Sequence, residues 1–447
     1  MKSSLFVISG AALAFVAIVH AQSGRSYGPS RVWWESGQGG ILPWEEDYDD
    51  PEGIVGILNE RGAVHTDEHP FFQALGTNKR ACITCHQPAN AMSLSAAVIA
   101  KRWEETEGKD PLFAAIDGSN CPSLPQDARE SHSLLLERGL FRIALPWPPK
   151  DVRPDFKIEV VQDPTGCNTS REFGLKSAKP AISVFRRPRL AANLKYLTSE
   201  GVGEAHGIRL MADGREPSLR SQAITAVLGH EQATAPPTAE QLRQIVAFER
   251  QIFVAQSADM RGGLLTENDG PSILGPNNVS QGKNGVLFEK VSYAGWQGPG
   301  RLQDGLQKDF RDSVVRGGDV FFRRPFSLEG RAGATCATCH NQNGGTAWMN
   351  IGTTNQASAD LPLFRVTCDS GKVILTQDPG RGLISGKCAD VGSIVLQQFR
   401  GLAARAPYFS NGSAKTLRQV IDYYDERYKI GYTEAEKADL ANFLKVL

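Results

Sequence analysis

The sequence has no excess of either charge, since its 447 residues contain 49 Lys and Arg against 49 Asp and Glu. Proteins that bind nucleic acid or an anionic membrane surface usually carry a clear basic excess. After residue 19 the sequence also has no apolar run that reaches the roughly 20 residues needed to span a bilayer as a helix. These absences argue against a nucleic-acid partner and against a membrane span in the later part of the chain.

Signals for β-strands are few and short, whereas several segments have helical periodicity. Apolar residues recur at helical spacing over 239–256, with Thr238 as a suitable N-cap and Gln241 completing a capping box. Three further segments are predicted to be helical: residues 94–107, 416–428 and 433–446. Apolar residues make up 41% of the chain, enough to bury a core. We therefore expect a mainly α protein with long loops.

The first 21 residues have the pattern of a signal peptide. A short basic start, Met1-Lys2, precedes an apolar run over 5–19, and Val19-His20-Ala21 offers a small-residue cleavage site. An uncleaved membrane anchor is the alternative, but the run is short for a span of about 20 residues. We therefore expect residues 1–21 to be removed on export.

The eight cysteines fall into two groups of four. One group belongs to two motifs described below, and the other consists of Cys121, Cys167, Cys368 and Cys388. An exported protein meets an oxidising environment, in which cysteines usually pair. Sequence order predicts the disulfides Cys121–Cys167 and Cys368–Cys388, and four free buried thiols are the alternative.

Two segments of the sequence have the pattern C-x-x-C-H. They contain Cys82, Cys85 and His86 in one case and Cys336, Cys339 and His340 in the other. Two thiols one helical turn apart can bond the two vinyl groups of a haem, and the His that follows then ligates the iron. A zinc site would need the four cysteines to converge, a thioredoxin-like redox pair would need a βαβ unit, and neither explains the histidines. The motifs therefore predict two covalently bound c-type haems.

A stretch rich in Gly, Asn, Ser and Pro separates the two motifs. It runs over residues 257–301 and has the composition of a long connection. Because the motifs are far apart and have different surroundings, we predict two separate haem domains. The N-terminal domain covers residues 22–256, the connecting segment 257–311, and the C-terminal domain 312–447.

Three segments of the sequence resemble bacterial dihaem cytochrome c peroxidases and MauG-type enzymes. Residues 400–413, RGLAARAPYFSNGS, are similar to that family's LRN-x-x-x-x-APYFH-[DN]-G-S segment. Residues 378–381 contain its D-x-G-R turn, and residues 211–223 are similar to its WDGR-x-x-x-LEEQA segment. Together with both haem motifs, the resemblance spans residues 72–447. Two less typical stretches, interpreted as insertions, are residues 102–189 and 257–301.

The resemblance implies a periplasmic enzyme built from two class I cytochrome c-like domains, each holding one covalent haem. In this family hydrogen peroxide is reduced at the N-terminal haem, and electrons enter through the C-terminal haem from a small donor protein, a cytochrome c or a cupredoxin. One iron then needs an open position, while the other serves electron transfer. Two other functions stay open: a MauG-like oxidase acting on a protein or organic substrate, and a non-enzymatic electron-transfer cytochrome. The oligomeric state is open between a monomer and a homodimer.

The resemblance also assigns the distal ligand of the C-terminal haem to Tyr424. Peroxidases of the family have Met at this position and MauG-type enzymes have Tyr, so Tyr424 favours ligation by a phenolate, which stabilises ferric iron. Tyr423 and Tyr428 are neighbouring alternatives on the same helix. Met349, nine residues after His340, is the other candidate ligand.

The family's peroxide pocket maps onto the end of residues 211–223 and the segment that follows. Gln222 matches the family's Gln, and the family's Glu falls on the residue after Glu231, or on Glu231 itself if the loop slips by one. His230 and Glu231 are adjacent titratable residues that can move a proton between the two peroxide oxygens; a solvated helix end is the alternative. No His follows His86 until residue 132, so the N-terminal iron is expected to be open.

Two positions depart from the family's pattern. Ala212 stands where the family has a Trp between the two haems. Arg405 precedes Ala406-Pro407, in the tripeptide whose carbonyls help to bind an inter-domain calcium ion in the family. A fixed positive charge at Arg405 counts against calcium there, although the resemblance includes one.

Overall fold

The computed structural model describes residues 31–198, 210–267, 270–282, 294–297, 305–328, 330–340 and 358–447. The predicted signal peptide and Met349 lie outside these ranges. No helix in the described ranges combines the length and the apolarity that a membrane span requires.

Helices and antiparallel sheets both contribute to the fold, so the expectation of a mainly α protein is wrong. The α-helices of the described residues are α1 Cys82–Cys85, α2 Ala96–Thr106, α3 Ser133–Arg138, α4 Lys195–Thr198, α5 Leu219–Gly229, α6 Ala239–Gln251, α7 Pro276–Gln281, α8 Ala294–Gln297, α9 Gly305–Arg323, α10 Cys336–Cys339, α11 Gly382–Ser385, α12 Leu417–Tyr428 and α13 Glu434–Lys445. The strands are β1 Ile41–Leu42, β2 Glu45–Asp50, β3 Gly53–Asn59, β4 Val64–His65, β5 Phe141–Pro146, β6 Phe156–Gln162, β7 Ala181–Arg186, β8 Ile252–Asp259, β9 Gly263–Leu264, β10 Phe326–Leu328, β11 Arg331–Ala334, β12 Leu363–Cys368 and β13 Val373–Thr376.

The strands form small antiparallel sheets. The largest has the order β2-β3-β8-β9, and its central strands β3 and β8 are buried along their whole length. A second sheet has the order β13-β12-β6, and the pairs β1-β4, β5-β7 and β10-β11 complete the set. The sequence of β2, EEDYDD, contains residue types that are depleted in strands, which is why it gave no strand signal. Pairing with the buried β3 outweighs that local preference.

The prediction of a helix over 239–256 is also wrong at its C-terminal end. Thr238 caps the helix through its side chain and forms the predicted capping box with Gln241. The helix ends at Gln251, and the chain continues directly into β8, which contains Phe253. The prediction extended too far because Ile252 and Phe253 continue the apolar pattern, which both a helix and a buried strand can satisfy.

The helices near the chain end agree with the prediction. Thr416 caps α12, and Thr433 forms a capping box with Glu436 at the start of α13. Helix α13 packs against α9 so closely that a Cβ atom on Gly317 would lie 2.0 Å from the Asp439 carbonyl oxygen. Only glycine allows this approach, which closes the apolar core of the C-terminal half.

Strand pairing joins the two halves of the chain. Strand β6 lies antiparallel to β12, with Phe156 opposite Cys368 and Val160 opposite Phe364. The N-terminal half therefore shares one sheet with residues that lie about two hundred positions later in the sequence.

Both predicted disulfides are confirmed, since Cys121 is bonded to Cys167 and Cys368 to Cys388. They close loops of 46 and 20 residues. Loop entropy of the unfolded chain then gives a stabilisation of about 4 kcal/mol for the longer loop and about 3 kcal/mol for the shorter one.

We therefore expect the paired substitution Cys368→Ala and Cys388→Ala to lower the free energy of unfolding by about 3 kcal/mol. Denaturant titration of this variant, with the corresponding Cys121 and Cys167 variant as the comparison, measures the effect. An unchanged denaturation midpoint in both variants would contradict the expectation.

Candidate functional site

The first C-x-x-C-H motif lies in the wall of a cavity in the N-terminal half. The cavity contains about 1440 Å³ of space, including open solvent at its mouth. Cys82 and Cys85 stand one turn apart on α1 with free thiols, and both line the cavity. Their spacing fits a haem bonded to both thiols.

His86 is held in the state that an iron ligand needs. Its Nδ1 atom lies 3.1 Å from the Met92 carbonyl oxygen, and the ring lines the cavity. Burial lowers the pKa of His86 to about 4, so the ring is neutral at pH 7. An Nδ1–H bond to a carbonyl orients the ring and leaves Nε2 free to bind a metal.

Helix α5 and the turn after it form another wall of the cavity. Gln222 lies on the lining face of this helix, and His230 and Glu231 follow at its end. The Gln222 Oε1 atom is buried and has no hydrogen-bond partner among the described residues. All three residues assigned to the peroxide pocket thus lie around one cavity with the first motif.

His230 belongs to a charged network that the sequence did not indicate. Its Nδ1 atom is 2.5 Å from an Asp117 carboxylate oxygen, and Arg80 forms a buried ion pair with the same carboxylate. Asp117 is buried, but Arg80 and His230 hold its pKa below the usual value. An ionised Asp117 orients His230 so that Nε2 is available as a base, as in other base–carboxylate pairs. Asp117 lies in the stretch interpreted as an insertion, and no local pattern marks it.

Glu231 is buried beside Cys82 of the first motif. Its Oε2 accepts a hydrogen bond from the Leu75 backbone N–H at 3.0 Å, and its Oε1 is 3.6 Å from the Cys82 sulfur. Burial raises the pKa of Glu231 to about 7, against the opposing effect of the Leu75 bond. The carboxyl group can therefore gain or lose a proton near neutral pH.

The two Asp- and Arg-containing segments that resemble the peroxidase family meet at this cavity. Arg186 binds Asp213 at 2.6 Å and Asp378 at 2.7 Å, so one buried guanidinium joins both segments. Arg215 pairs with the same Asp213, and Arg381 donates to the Gly214 carbonyl oxygen at 2.9 Å. Asp213 and Asp378, which are about 165 residues apart in the sequence, are thus joined behind the cavity wall through Arg186.

Two other arginines of the cavity wall have only backbone partners among the described residues. Arg187 donates to the carbonyls of Arg138, Leu94 and Arg405, and Arg189 donates to those of Val395 and Leu396. Burial lowers the pKa of Arg187 to about 9 and that of Arg189 to about 10. Buried cations without a bonded anion are unfavourable, and Arg189 has only the negative charge of Asp213 acting on it from a distance, so the wall fits a ligand with carboxylates, such as the propionates of a haem.

The second motif has a similar local geometry in another core. Cys336 and Cys339 stand on α10, and His340 stacks on Phe399 with ring centroids 4.2 Å apart. Burial lowers the pKa of His340 to about 4, and its Nδ1 is buried without a partner among the described residues. Cys82 packs against the N-terminal core and Cys336 against the C-terminal one. The four thiols therefore do not converge as a shared zinc site would require.

Tyr424 lies close to the second motif. It is half-buried on α12, and its ring is 5.9 Å from that of Tyr428 and 5.7 Å from that of Tyr423. Burial is the main cause that raises the pKa of Tyr424 well above its usual value, with smaller contributions from Tyr428 and Cys336. The contribution of Cys336 places the phenol within electrostatic reach of this haem-attachment residue, and a bound metal would be needed to ionise it.

The carbonyl groups around residue 400 are satisfied by a side chain. Arg405 donates from Nε to the Arg400 carbonyl oxygen at 3.1 Å and from Nη2 to the Gln398 carbonyl oxygen at 2.6 Å. The guanidinium thus supplies positive charge beside the segment to which the resemblance assigned calcium.

Among known proteins, the chain has a distant structural neighbour but no matching family model or curated protein. No protein-family model matches the chain, and no curated protein matches it. Among solved structures, the chain is similar to a MauG-like protein associated with microbial copper homeostasis, at 17% sequence identity and a TM-score of 0.34. The match covers 60% of this chain and 76% of that protein. Agreement at this level does not by itself establish a shared fold.

Proposed function

We propose that this protein is a periplasmic dihaem cytochrome that reduces hydrogen peroxide to water at its N-terminal site. One observation supports this most directly: Cys82, Cys85 and His86 share a cavity with Gln222, His230 and Glu231. A haem-binding motif alone suits an electron carrier. Acid–base residues around the same cavity are what a reaction on a bound peroxide needs.

The cavity residues fit the parts of a c-type haem. Cys82 and Cys85 would form the covalent bonds, and the neutral His86 would ligate the iron. Arg187 and Arg189 would bind the propionates, because they lack carboxylate partners among the described residues. The bound haem would supply the peroxide-binding metal and the electrons for the reaction.

The protein's own contribution is the handling of protons. Reduction of hydrogen peroxide to two water molecules consumes two electrons and two protons. His230, oriented by Asp117, can accept the peroxide proton at Nε2 and return it to the leaving oxygen. Gln222, whose Oε1 is otherwise unpartnered among the described residues, can accept a hydrogen bond from the peroxide. Glu231, with a pKa of about 7, can supply one of the two consumed protons near neutral pH, and water supplies the other.

Electrons would enter through the second motif from a small donor protein, a cytochrome c or a cupredoxin. Tyr424 favours a second candidate function, a MauG-like oxidase, because a phenolate ligand stabilises oxidised iron. Ala212 counts against it: it lines the first cavity where the family has an inter-haem Trp, so the aromatic bridge that couples the two haems is missing.

Peroxide-dependent oxidation of a reduced donor tests the proposal. We expect the haem-loaded protein to oxidise reduced cytochrome c or cupredoxin only when hydrogen peroxide is added. The EPR spectrum of the oxidised protein should contain a high-spin signal from an open iron site. Two low-spin signals and no turnover would instead identify an electron-transfer cytochrome.

The ligand role of Tyr424 gives a separate prediction. Tyr424→Met should raise the reduction potential of one haem only, because a thioether favours ferrous iron more than a phenolate does. Tyr424→Phe should open a coordination position at that haem. Spectroelectrochemical titration measures both changes, and Tyr423→Phe on the same helix is the matched control. Unchanged spectra and potentials in both Tyr424 variants would make Tyr424 a packing residue.

A further inference from the structure

A carboxyl group that the proposed reaction does not use is buried in the wall of the first cavity. Glu249 lies on α6, near the C-terminal end of the helix, with 4% of its surface exposed. It lines the same cavity as Cys82 and Glu231. Its Oε2 atom has no hydrogen-bond partner among the described residues. A buried carboxyl without a cation or a donor is costly to ionise, so its protonation depends strongly on the charge nearby.

The neighbours of Glu249 place it beside the haem-attachment site. The negative charges of Glu231 and Glu249 both contribute to raising the pKa of the Cys82 thiol, which shows that the two carboxyls converge on that residue. Burial alone raises the pKa of Glu249 to about 8. The ionisable side chains on the elements packed around α6 or on the shared cavity wall are His69, Arg80, Cys82, Cys85, His86, Asp117, Arg186, Arg187, Arg189, Lys195, Arg215, Arg220, His230 and Glu231.

These neighbours do not neutralise Glu249. Arg80 and Arg186 are paired with buried aspartates, and Lys195 is paired with Glu60. None of the ionisable neighbours forms an ion pair with Glu249 among the described residues. The variable charges near its carboxyl group are those of Glu231, which titrates at about pH 7, and of the haem site itself.

We propose that Glu249 is the proton-holding residue of the N-terminal site, gaining one proton when the site gains one electron and releasing it on reoxidation. This inference rests on the haem of the proposed function. The electron comes from a one-electron donor, the proton comes from water, and the only bond formed on the protein is the O–H bond of the Glu249 carboxyl group. An added electron makes the site more negative, which favours the protonated acid. Glu249 thereby stores a proton where the reduction of peroxide will consume it.

Redox titration of the haem-loaded protein with dithionite, without peroxide, tests this between pH 6 and 10. In the pH range in which Glu249 is ionised in the oxidised protein and protonated in the reduced protein, the reduction potential of the N-terminal haem should fall as the pH rises. A tenfold change in equilibrium constant for each pH unit corresponds to 59 mV for one electron. Above pH 8, where Glu231 is already ionised, we expect a slope approaching that value in the wild-type protein and a flat profile in Glu249→Gln.

Three variants make the result specific. Glu240→Gln, a half-exposed glutamate on the same helix, should keep the wild-type slope. Glu231→Gln should also keep the slope that begins near pH 8. The paired substitution of Cys82 and Cys85 by Ala identifies which of the two potentials belongs to the N-terminal haem. A flat wild-type profile, or an unchanged slope in Glu249→Gln, would overturn the inference. Loss of peroxide turnover with the slope intact would instead overturn only the proposed function.

Discussion

Replacing Cys82 and Cys85 with Ala is expected to leave one covalent haem per chain instead of two. The remaining haem would be bonded to Cys336 and Cys339, which lie in a different core. Acid–acetone extraction removes non-covalent haem, so the pyridine haemochrome spectrum of the extracted protein gives the covalent ratio. The change also removes the attachment residues of the proposed peroxide site, so peroxide turnover should fall to the background level.

The disulfide cysteines provide the matched control for this experiment. The paired substitution Cys121→Ala and Cys167→Ala removes two other cysteines of the same half without touching the cavity lining. It should lower stability while leaving two haems per chain. Recovery of two covalent haems from the Cys82 and Cys85 variant would refute the assignment of the first motif.

The second large effect is expected for His230→Gln. Proton transfer by a positioned side chain contributes about 10²–10⁴-fold to catalysis, so kcat for peroxide reduction should fall by roughly 100-fold or more. The haem content and reduction potentials should stay unchanged, because His230 is not bonded to either motif. Asp117→Asn should also lower kcat, because a neutral amide no longer stabilises the proton that His230 takes up.

Steady-state kinetics with saturating donor measures this loss, and His65→Gln is the matched control. His65 is an exposed residue on β4 and does not line the cavity. Its replacement should leave kcat within twofold of the wild-type value. A His230→Gln variant with full kcat would move the proton transfer to Glu231, which could then be tested in the same way.

The sequence predicted the parts of the structure whose signals are local. The caps at Thr238 and Thr433 each depend on residues within one helical turn, and both helices start where expected. The sequence did not predict the strands because their stability comes from partners that are distant along the chain. Strand β6 alternates exposed and half-buried residues, and its pairing with β12 cannot be read from either segment alone.

The same distinction applies to the candidate site. The C-x-x-C-H spacing predicts Cys82, Cys85 and His86 on one turn, and the structure places them there; their role in binding haem stays a prediction. Asp117 and Glu249 give no such pattern, since each becomes relevant only through the partner or the cavity that the fold brings to it. Their burial as acidic residues is the signal, and it exists only in three dimensions.

The sheet that joins β6 to β12 affects the order in which the two halves can mature. A chain is synthesised N-terminus first, yet the wall of the first cavity includes Gln397 and Gln398, and its Arg186 is paired with Asp378. The N-terminal site therefore cannot close until most of the C-terminal half has been made. Contacts of such long sequence separation form slowly. If haem is attached as proposed, this delay would keep Cys82 and Cys85 accessible for longer than a self-contained N-terminal domain would.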